Sequence, residues 1–339
     1  MDVSICIVTH NQPAILPQCI AACLAEIKAT GLDAEIIVVD NASSDGYPGR
    51  VAGCSSAIRI IRNEHILSFS AANNKAIRIS QGTHVLILND DAILRPGSLG
   101  LMVGALDSGL DIGAVGPKLL NSDGSVQQHF TNRRFPHLLN CLALVSSLEE
   151  RLERRAWTHC IFSLDRDPEC SSEAEHLAGA CLLVRREALD AVGLFDEGFH
   201  YWFEDADLCL RFKKAGWRVR YLAEAQVTHH QSASIGRIAE PDRVIMFFRS
   251  QMYYLQKHWG PLKYFLVRIA SALVILFNVL LVVTGVRARR LSRKERRAWT
   301  KAYLPAARLL LWKWDQGPRS ASVGASGQGK DQEAAAKTG

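Results

Sequence analysis

Four short stretches of this chain carry residue types that could do chemistry. The first, HYWFEDADLCLRF (200–212), sets Glu204, Asp205 and Asp207 within four residues, directly after a run of aromatics. Acids are common in the first turn of a helix, where they complement its positive end. At about 100° per residue, Asp205 shares the face of Leu208, Cys209 and Phe212. Asp207 falls on the other side, four residues before Arg211, in the favourable ion-pair order. The pattern therefore predicts Asp207 as a helix-start acid and Asp205 as the carboxylate turned inward, with Glu204 at the margin. Trp202, just before them, reads either as a sugar-stacking platform or as a core aromatic.

The other three stretches are LNDDAIL, VVDNASSDG and VTHHQSAS. Asp90 and Asp91 are adjacent like charges, costly unless a cation neutralises them. A hard divalent ion suits such oxygen ligands, especially when a diphosphate completes its shell. Asp40 reads as an Asx-turn or cap, or as an acceptor for a ligand N–H or hydroxyl. His229 and His230 follow a strand and are metal candidates by type.

These residues need elements to position them. VSICIVT (3–9), EIIVVD (35–40), AIRIIRN (57–63) and HVLILND (84–90) read as strands, with helices over 13–29, 70–80 and 96–108. Near-continuous apolar strands separated by helices argue for a parallel sheet covered on both faces. Ligands of such sheets bind beyond the carboxyl ends of the strands, where Thr9, Asn11, Asp40, Asp90 and Asp91 gather. Residues 131–172 have poor periodicity and read as a partly helical insert. A strand and a short helix follow within 176–199, then short strands near 218–221 and 225–229. A helix over 240–258 ends at WGPLKY, and the tail from 317 has the composition of a disordered segment.

Composition excludes several classes. The 339 residues are 48% hydrophobic and 22% charged, a globular balance. Nine scattered cysteines with no C-x-x-C support neither a zinc site nor a disulfide framework, and a reducing cytosol fits them. The first apolar run is too short for a signal peptide. RARRLSRKERRAWTK (287–301) holds eight basic residues and one acid, so the rest of the chain, net +6 overall, stands near −1. No nucleic-acid recognition module accompanies this patch. The eighteen uncharged residues IASALVILFNVLLVVTGV (269–286) precede it, which points to a membrane. A single span would set the basic run against the positive-inside tendency. An interfacial, monotopic segment resting on anionic lipid fits better.

The pieces VSICIVTHNQ, IIVVDNASSDG, RNEHILSFSAANNKAI, LILNDDAIL, AGACLLVRREALDAVGLFDEGFHYWFEDADLCLRFKKAGW and VTHHQSAS occur in that order. So arranged, the chain resembles the family 2 glycosyltransferases of the GT-A fold, particularly bacterial rhamnosyltransferase-like members. The resemblance covers roughly residues 2–235 and implies an α/β GT-A domain over 1–235; the residues beyond read as a helical connector over 236–263, membrane-associated helices over 264–316 and a disordered tail over 317–339. It implies inverting transfer of rhamnose or a related hexose from a dTDP- or UDP-linked donor to a lipid-linked or polysaccharide acceptor, at the cytoplasmic face of the membrane. Asp205 would be the base. Thr9, Asn11, Asp40 and Asp90 would meet the donor nucleotide, Asp91 and His229 would hold Mg²⁺ or Mn²⁺, and Trp202, Glu204 and His230 would support the acceptor or metal. Two positions depart from the family pattern: Ser68 stands where a glycine is common, and the metal motif reads Asn-Asp-Asp. A glycoside hydrolase using paired carboxylates and a non-catalytic membrane adaptor are the rival readings.

Overall fold

A computed structural model describes residues 1–46, 55–128, 130–137, 165–199, 201–230, 240–284 and 293–312. Strands β1 (Val3–Thr9), β2 (Ala34–Asp40), β3 (Ile58–Arg62) and β4 (His84–Asn89) pair in parallel. They belong to a nine-stranded sheet that also contains β5 (Ala92–Leu94), β6 (Ile112–Leu120), β7 (Ser172–Glu173), β8 (Cys181–Arg185) and β9 (Arg218–His229). Its order is β3-β2-β1-β4-β8-β6-β9-β5, with β7 also on β9. The antiparallel β8 joins β4 to β6 and so makes the sheet mixed.

Side chains alternate across a strand, which explains why the strands are apolar throughout. Val3, Ile5 and Ile7 point into one core, with α1 (Leu16–Thr30) and α3 (Ser98–Asp107). Cys6, Ile37 and Val39 point into the other, with α2 (Phe69–Ile79), α4 (Arg186–Val192) and α5 (Glu204–Lys214). Buried polar groups fix the helix ends. Glu26 of α1 accepts from the backbone N–H of Gly97 and Leu99 at the start of α3 (2.8 and 2.9 Å). Arg185 donates to the carbonyls of Leu106 and Ile112 beyond its end (2.6 and 3.0 Å). Ser68, the departure from glycine, is the N-cap of α2: its Oγ accepts from Ala71 N at 3.2 Å, and its φ of −63° needs no glycine.

The two short strands expected near 218–229 are one strand. Its ladder with β6 slips where Pro117 pairs Leu222 and Lys118 pairs Gln226. Proline has no N–H for the ladder, and the three extra residues on β9 absorb the interruption. Of the insert expected over 131–172, residues 138–164 lie outside the described residues, as does the tail from 317. Helices α6 (Glu240–Trp259), α7 (Pro261–Val283) and α8 (Arg293–Trp312) follow, with Gly260 (φ 79°) breaking α6 from α7. They form a third core, in which Phe248, Met252, Val267, Ile275 and Leu310 meet Phe199 and Ala206 beside α5.

Candidate active site

The loops after β1 and β2 are laced together. Asn41 N donates to Thr9 O at 2.8 Å, Asn11 N to Ser43 Oγ at 3.0 Å, and Ser44 N to Asn11 Oδ1 at 2.8 Å. Asn11 (φ 52°) and Ala42 (φ 61°) are left-handed here. Such strain in non-glycine residues concentrates at functional sites. Asp40 is buried, its Oδ1 accepting from Ser43 N at 2.8 Å and its Oδ2 standing 3.6 Å from Arg62 Nε. The turn role expected of Asp40 is thus filled by one oxygen, and the second faces a cation. Asn41 is a residue that sequence reasoning missed. It donates to Leu67 O (3.0 Å) and accepts from Leu67 N (2.9 Å) and Asn63 Nδ2 (3.0 Å), pinning the loop that leads into α2.

At the end of β4, Asp90 is buried and its Oδ2 has no hydrogen-bond partner. Burial, followed by the neighbouring Asp91 charge, pushes its carboxyl up to about 7, while the Thr9 hydroxyl and the His10 backbone pull it back. Asp91 Oδ1 lies 3.3 Å from His229 Nε2, and both side chains are buried. Residue pairing between β5 and β9 places them so, with Ala92 opposite His229. His230 donates its backbone N–H to Asp91 O (2.9 Å), but its ring turns to Ser122 Oγ (2.8 Å).

The second missed residue is Gln127. Its Nε2 lies 2.6 Å from His229 O, 3.0 Å from Asn121 Oδ1 and 3.3 Å from Leu120 O. Three acceptors around one end fix the amide's orientation. Its Oε1 therefore faces His229 Nδ1, 3.0 Å away, and that nitrogen carries the hydrogen. The lone pair of a neutral His229 then sits on Nε2, facing a carboxylate. A proton or a metal cation can bridge these two electron-pair donors. One carboxylate and one imidazole oriented by an amide suit a divalent ion such as Mg²⁺ or Mn²⁺. Among the described residues no group of three or more His, Cys, Asp or Glu could hold a metal alone. A diphosphate and water would have to complete the shell.

Asp205 is half-buried at the start of α5. Its Oδ1 accepts from Ala206 N (2.8 Å) and its Oδ2 from Gly179 N (3.2 Å). Asn89 N, just before the acidic pair, donates to Ala180 O at 2.9 Å. Asn89 Nδ2 also approaches His229 Nε2 at 3.4 Å. The turn 179–180 thus joins Asp205 to the Asp91–His229 pair. A side chain at Gly179 would place its Cβ 3.4 Å from the Phe69 ring, against the wall of this turn.

Asp207 stands in the first turn of α5 and pairs with Arg211 in the expected i,i+4 order, and the fold adds that it is fully buried. Arg211 Nε (2.9 Å), Lys257 Nζ (2.7 Å) and His258 Nε2 (2.8 Å) surround it. A helical wheel for α5 alone cannot show that α6 covers that side. Glu204 is buried too, rather than marginal, and its Oε2 has no partner. Burial, then the Asp205 charge, pushes its carboxyl up to about 8. Trp202 (φ 65°) and Phe203 (φ 68°) are consecutive left-handed aromatics before this helix. Trp202 meets the Phe247 ring of α6 edge-on at 5.9 Å, and Phe203 packs on Phe247 and Tyr254.

Residues 4–193 match a family model described as Glycosyl transferase family 2. The chain belongs to glycosyl transferase family 2. Membership makes it a nucleotide-sugar glycosyltransferase, and its sheet is that of the GT-A fold. It is 30% identical over 220 residues to the N-acetylglucosaminyl-diphospho-decaprenol L-rhamnosyltransferase of Mycobacterium tuberculosis, covering 62% of this chain and 70% of that one. An uncharacterized protein of Sinorhizobium fredii is 31% identical over 233 residues, 66% of this chain but only 24% of its own length. Among solved structures, the Pyrobaculum calidifontis mannosyltransferase PcManGT, with GDP-Man and Mn²⁺, superposes with a TM-score of 0.54 at 18% identity, over 91% of this chain and 87% of that one. The Staphylococcus aureus TarS fragment with UDP-GlcNAc gives 0.53 at 14% identity, over 91% and 81%. At these identities the likeness of structure speaks for the fold alone.

Proposed function

We propose that this family 2 enzyme transfers rhamnose or a related hexose, with inversion, from a dTDP- or UDP-linked donor to a lipid-linked glycan during cell-envelope synthesis. The observation that supports the reading is the turn 179–180, whose Gly179 N–H holds Asp205 and whose Ala180 carbonyl accepts from Asn89, the residue before the acidic pair. The mycobacterial relative's name, a rhamnosyltransferase acting with a polyprenol diphosphate, supports the sugar and the lipid.

In the proposed step the acceptor hydroxyl gives its proton to Asp205 as its oxygen bonds to the anomeric carbon. The bond from that carbon to the diphosphate breaks, and the nucleoside diphosphate leaves with the electron pair. A carboxylate is a weak base, but the alcohol grows acidic as the new bond forms, so a positioned carboxylate suffices. Backbone N–H groups of Gly179 and Ala206 aim Asp205. Asp91 and His229 would hold the divalent ion, which supplies positive charge for the leaving diphosphate. Asp40, with Thr9 and Asn11 shaping the cleft between β1 and β2, would accept the N–H of a uracil or thymine ring. The proposed division is a catalytic domain over 1–235, a helical connector over 236–263 and membrane-associated helices over 264–316, at the cytoplasmic face.

The test is Asp205→Asn assayed for transfer and for nucleotide binding. Transfer is expected to fall by about 10²–10⁴-fold with donor affinity kept. Wild-type turnover in that variant would overturn the assignment.

A further inference from the structure

Helix α7 is apolar on its outer face as well as its inner one. Leu262, Phe265, Leu266, Leu273, Phe277, Leu280 and Val283 are each 55 to 71% exposed. At 100° per residue they occupy a stripe about 120° wide. The opposite side, turned into the protein towards α6 and α8, holds Val267, Ile275 and Val282 together with Tyr264, Ser271 and Asn278. A helix on the surface of a water-soluble protein turns polar residues, not a second apolar face, outward. Scattered exposed leucines are ordinary, but an unbroken apolar stripe along a whole helix marks an interaction surface.

We infer that the outer face of α7 lies in the interfacial layer of an anionic lipid bilayer, with the helix parallel to the membrane. At 23 residues, α7 is long enough to span, at about 1.5 Å per residue. Its neighbour decides against that. Arg268, near the start of α7, donates to Leu310 O near the end of α8, so the two helices run antiparallel. A spanning α7 would carry α8 in beside it and place exposed Lys301, near the middle of α8, in the hydrocarbon. Charged side chains at that depth are strongly disfavoured. An in-plane hairpin keeps them at the headgroups. Arg297, Lys301 and Arg308 are exposed on α8, and at 100° per residue they fall within about 40° of one another. These cations, with the rest of the basic run, match anionic headgroups, while the remainder of the chain is near neutral. An exposed apolar stripe on one helix and exposed cations on the helix packed against it are what such a surface binds.

The surface is argued from α7 and α8 and stands whether or not the transfer reading holds. Its consequence does rest on that reading: α7, α8 and α6 share a core with Phe199 and Ala206, so the bilayer would be held at a fixed distance from Asp205.

The experiment is flotation of the full chain with vesicles of phosphatidylcholine, with and without 30% (roughly) phosphatidylglycerol, at low and high salt. Wild type is expected to float with the anionic vesicles and to lose most of that binding at high salt. The variant Leu273→Gln/Phe277→Gln is expected to bind at least tenfold more weakly, with unchanged thermal unfolding and nucleotide binding, since both side chains already face outward. Equal flotation of variant and wild type would overturn the proposal. So would concentration-dependent dimerisation with no vesicle binding, which would assign the face to a second copy. A C-terminal tag shielded from protease outside sealed vesicles would overturn the in-plane orientation. None of these readouts depends on turnover.

Discussion

Asp207 ties the helix that carries Asp205 to α6, and its contribution can be worked out. The cluster with His258, Arg211 and Lys257 holds its carboxyl down at about 2 against burial, from an ordinary value of 3.8. A difference of nearly two pKa units corresponds to about 2–3 kcal/mol. The group is depressed in the folded protein, so this stabilisation is complete above about pH 4 and is lost as pH falls towards 2. Asp207→Asn should remove it at neutral pH. It also leaves Arg211 and Lys257 close together without their shared acceptor, which raises the expected loss to about 3–5 kcal/mol. Lys257 keeps Asp196 at 2.6 Å, and Arg211 keeps the carbonyls of Val192, Gly193 and Leu194, which limits the damage. Urea unfolding followed by tryptophan fluorescence, at pH 7 and through pH 5 to 3, measures both effects. Other carboxylates titrate in that window, so the quantity to read is the difference between wild type and variant. It should be largest at neutral pH and shrink as the pH drops. A variant within 0.5 kcal/mol (about the scatter of surface substitutions) of wild type, or a difference independent of pH, would refute the argument.

Gln127→Met should weaken Mn²⁺ binding by about 10–100-fold by releasing the His229 ring, read by calorimetry on protein whose thermal unfolding is checked in parallel; unchanged affinity would show that the ring needs no such clamp. Glu204 is held neutral below about pH 8, beside the Asp205 charge. Wild-type turnover should therefore drop above pH 8 as Glu204 ionises and crowds Asp205. Glu204→Gln should be near wild type at pH 7 and lose that alkaline limb, and an identical pH profile in the two proteins would remove Glu204 from the site.

The sequence makes the scaffold readable because each core strand is buried on both faces, leaving runs such as IIVVD and VLILN that few other elements could use. Asp40, Asp90, Asp91 and His229 are readable by type, since polar residues ending apolar strands must meet something. What the sequence hides is set by distant packing. Gln127 orients a histidine 102 positions later, and no local period marks it. Asp207 reads as a helix-start acid paired with Arg211, and nothing local shows that α6, some fifty residues on, covers it. The paired left-handed residues Trp202 and Phe203 are equally invisible, because nothing in an aromatic pair announces positive φ.

These hidden features share a location, and that makes sense of them. Helix α5 sends Leu208, Cys209 and Phe212 into the core under the sheet, and Ala206 into the core of α6, α7 and α8. Its first turn, holding Asp205, begins from two strained aromatics braced on α6. The position of Asp205, the proposed base, is therefore set by both cores at once. Strain of about 1–3 kcal/mol at each left-handed residue survives only if the contacts on both sides over-determine it. Loosening α6, whether at Asp207 or at Phe247, should then shift Asp205 while leaving the β1–β2 cleft proposed for the nucleotide, which rests on the sheet, in place. Such variants should lose turnover before they lose donor affinity.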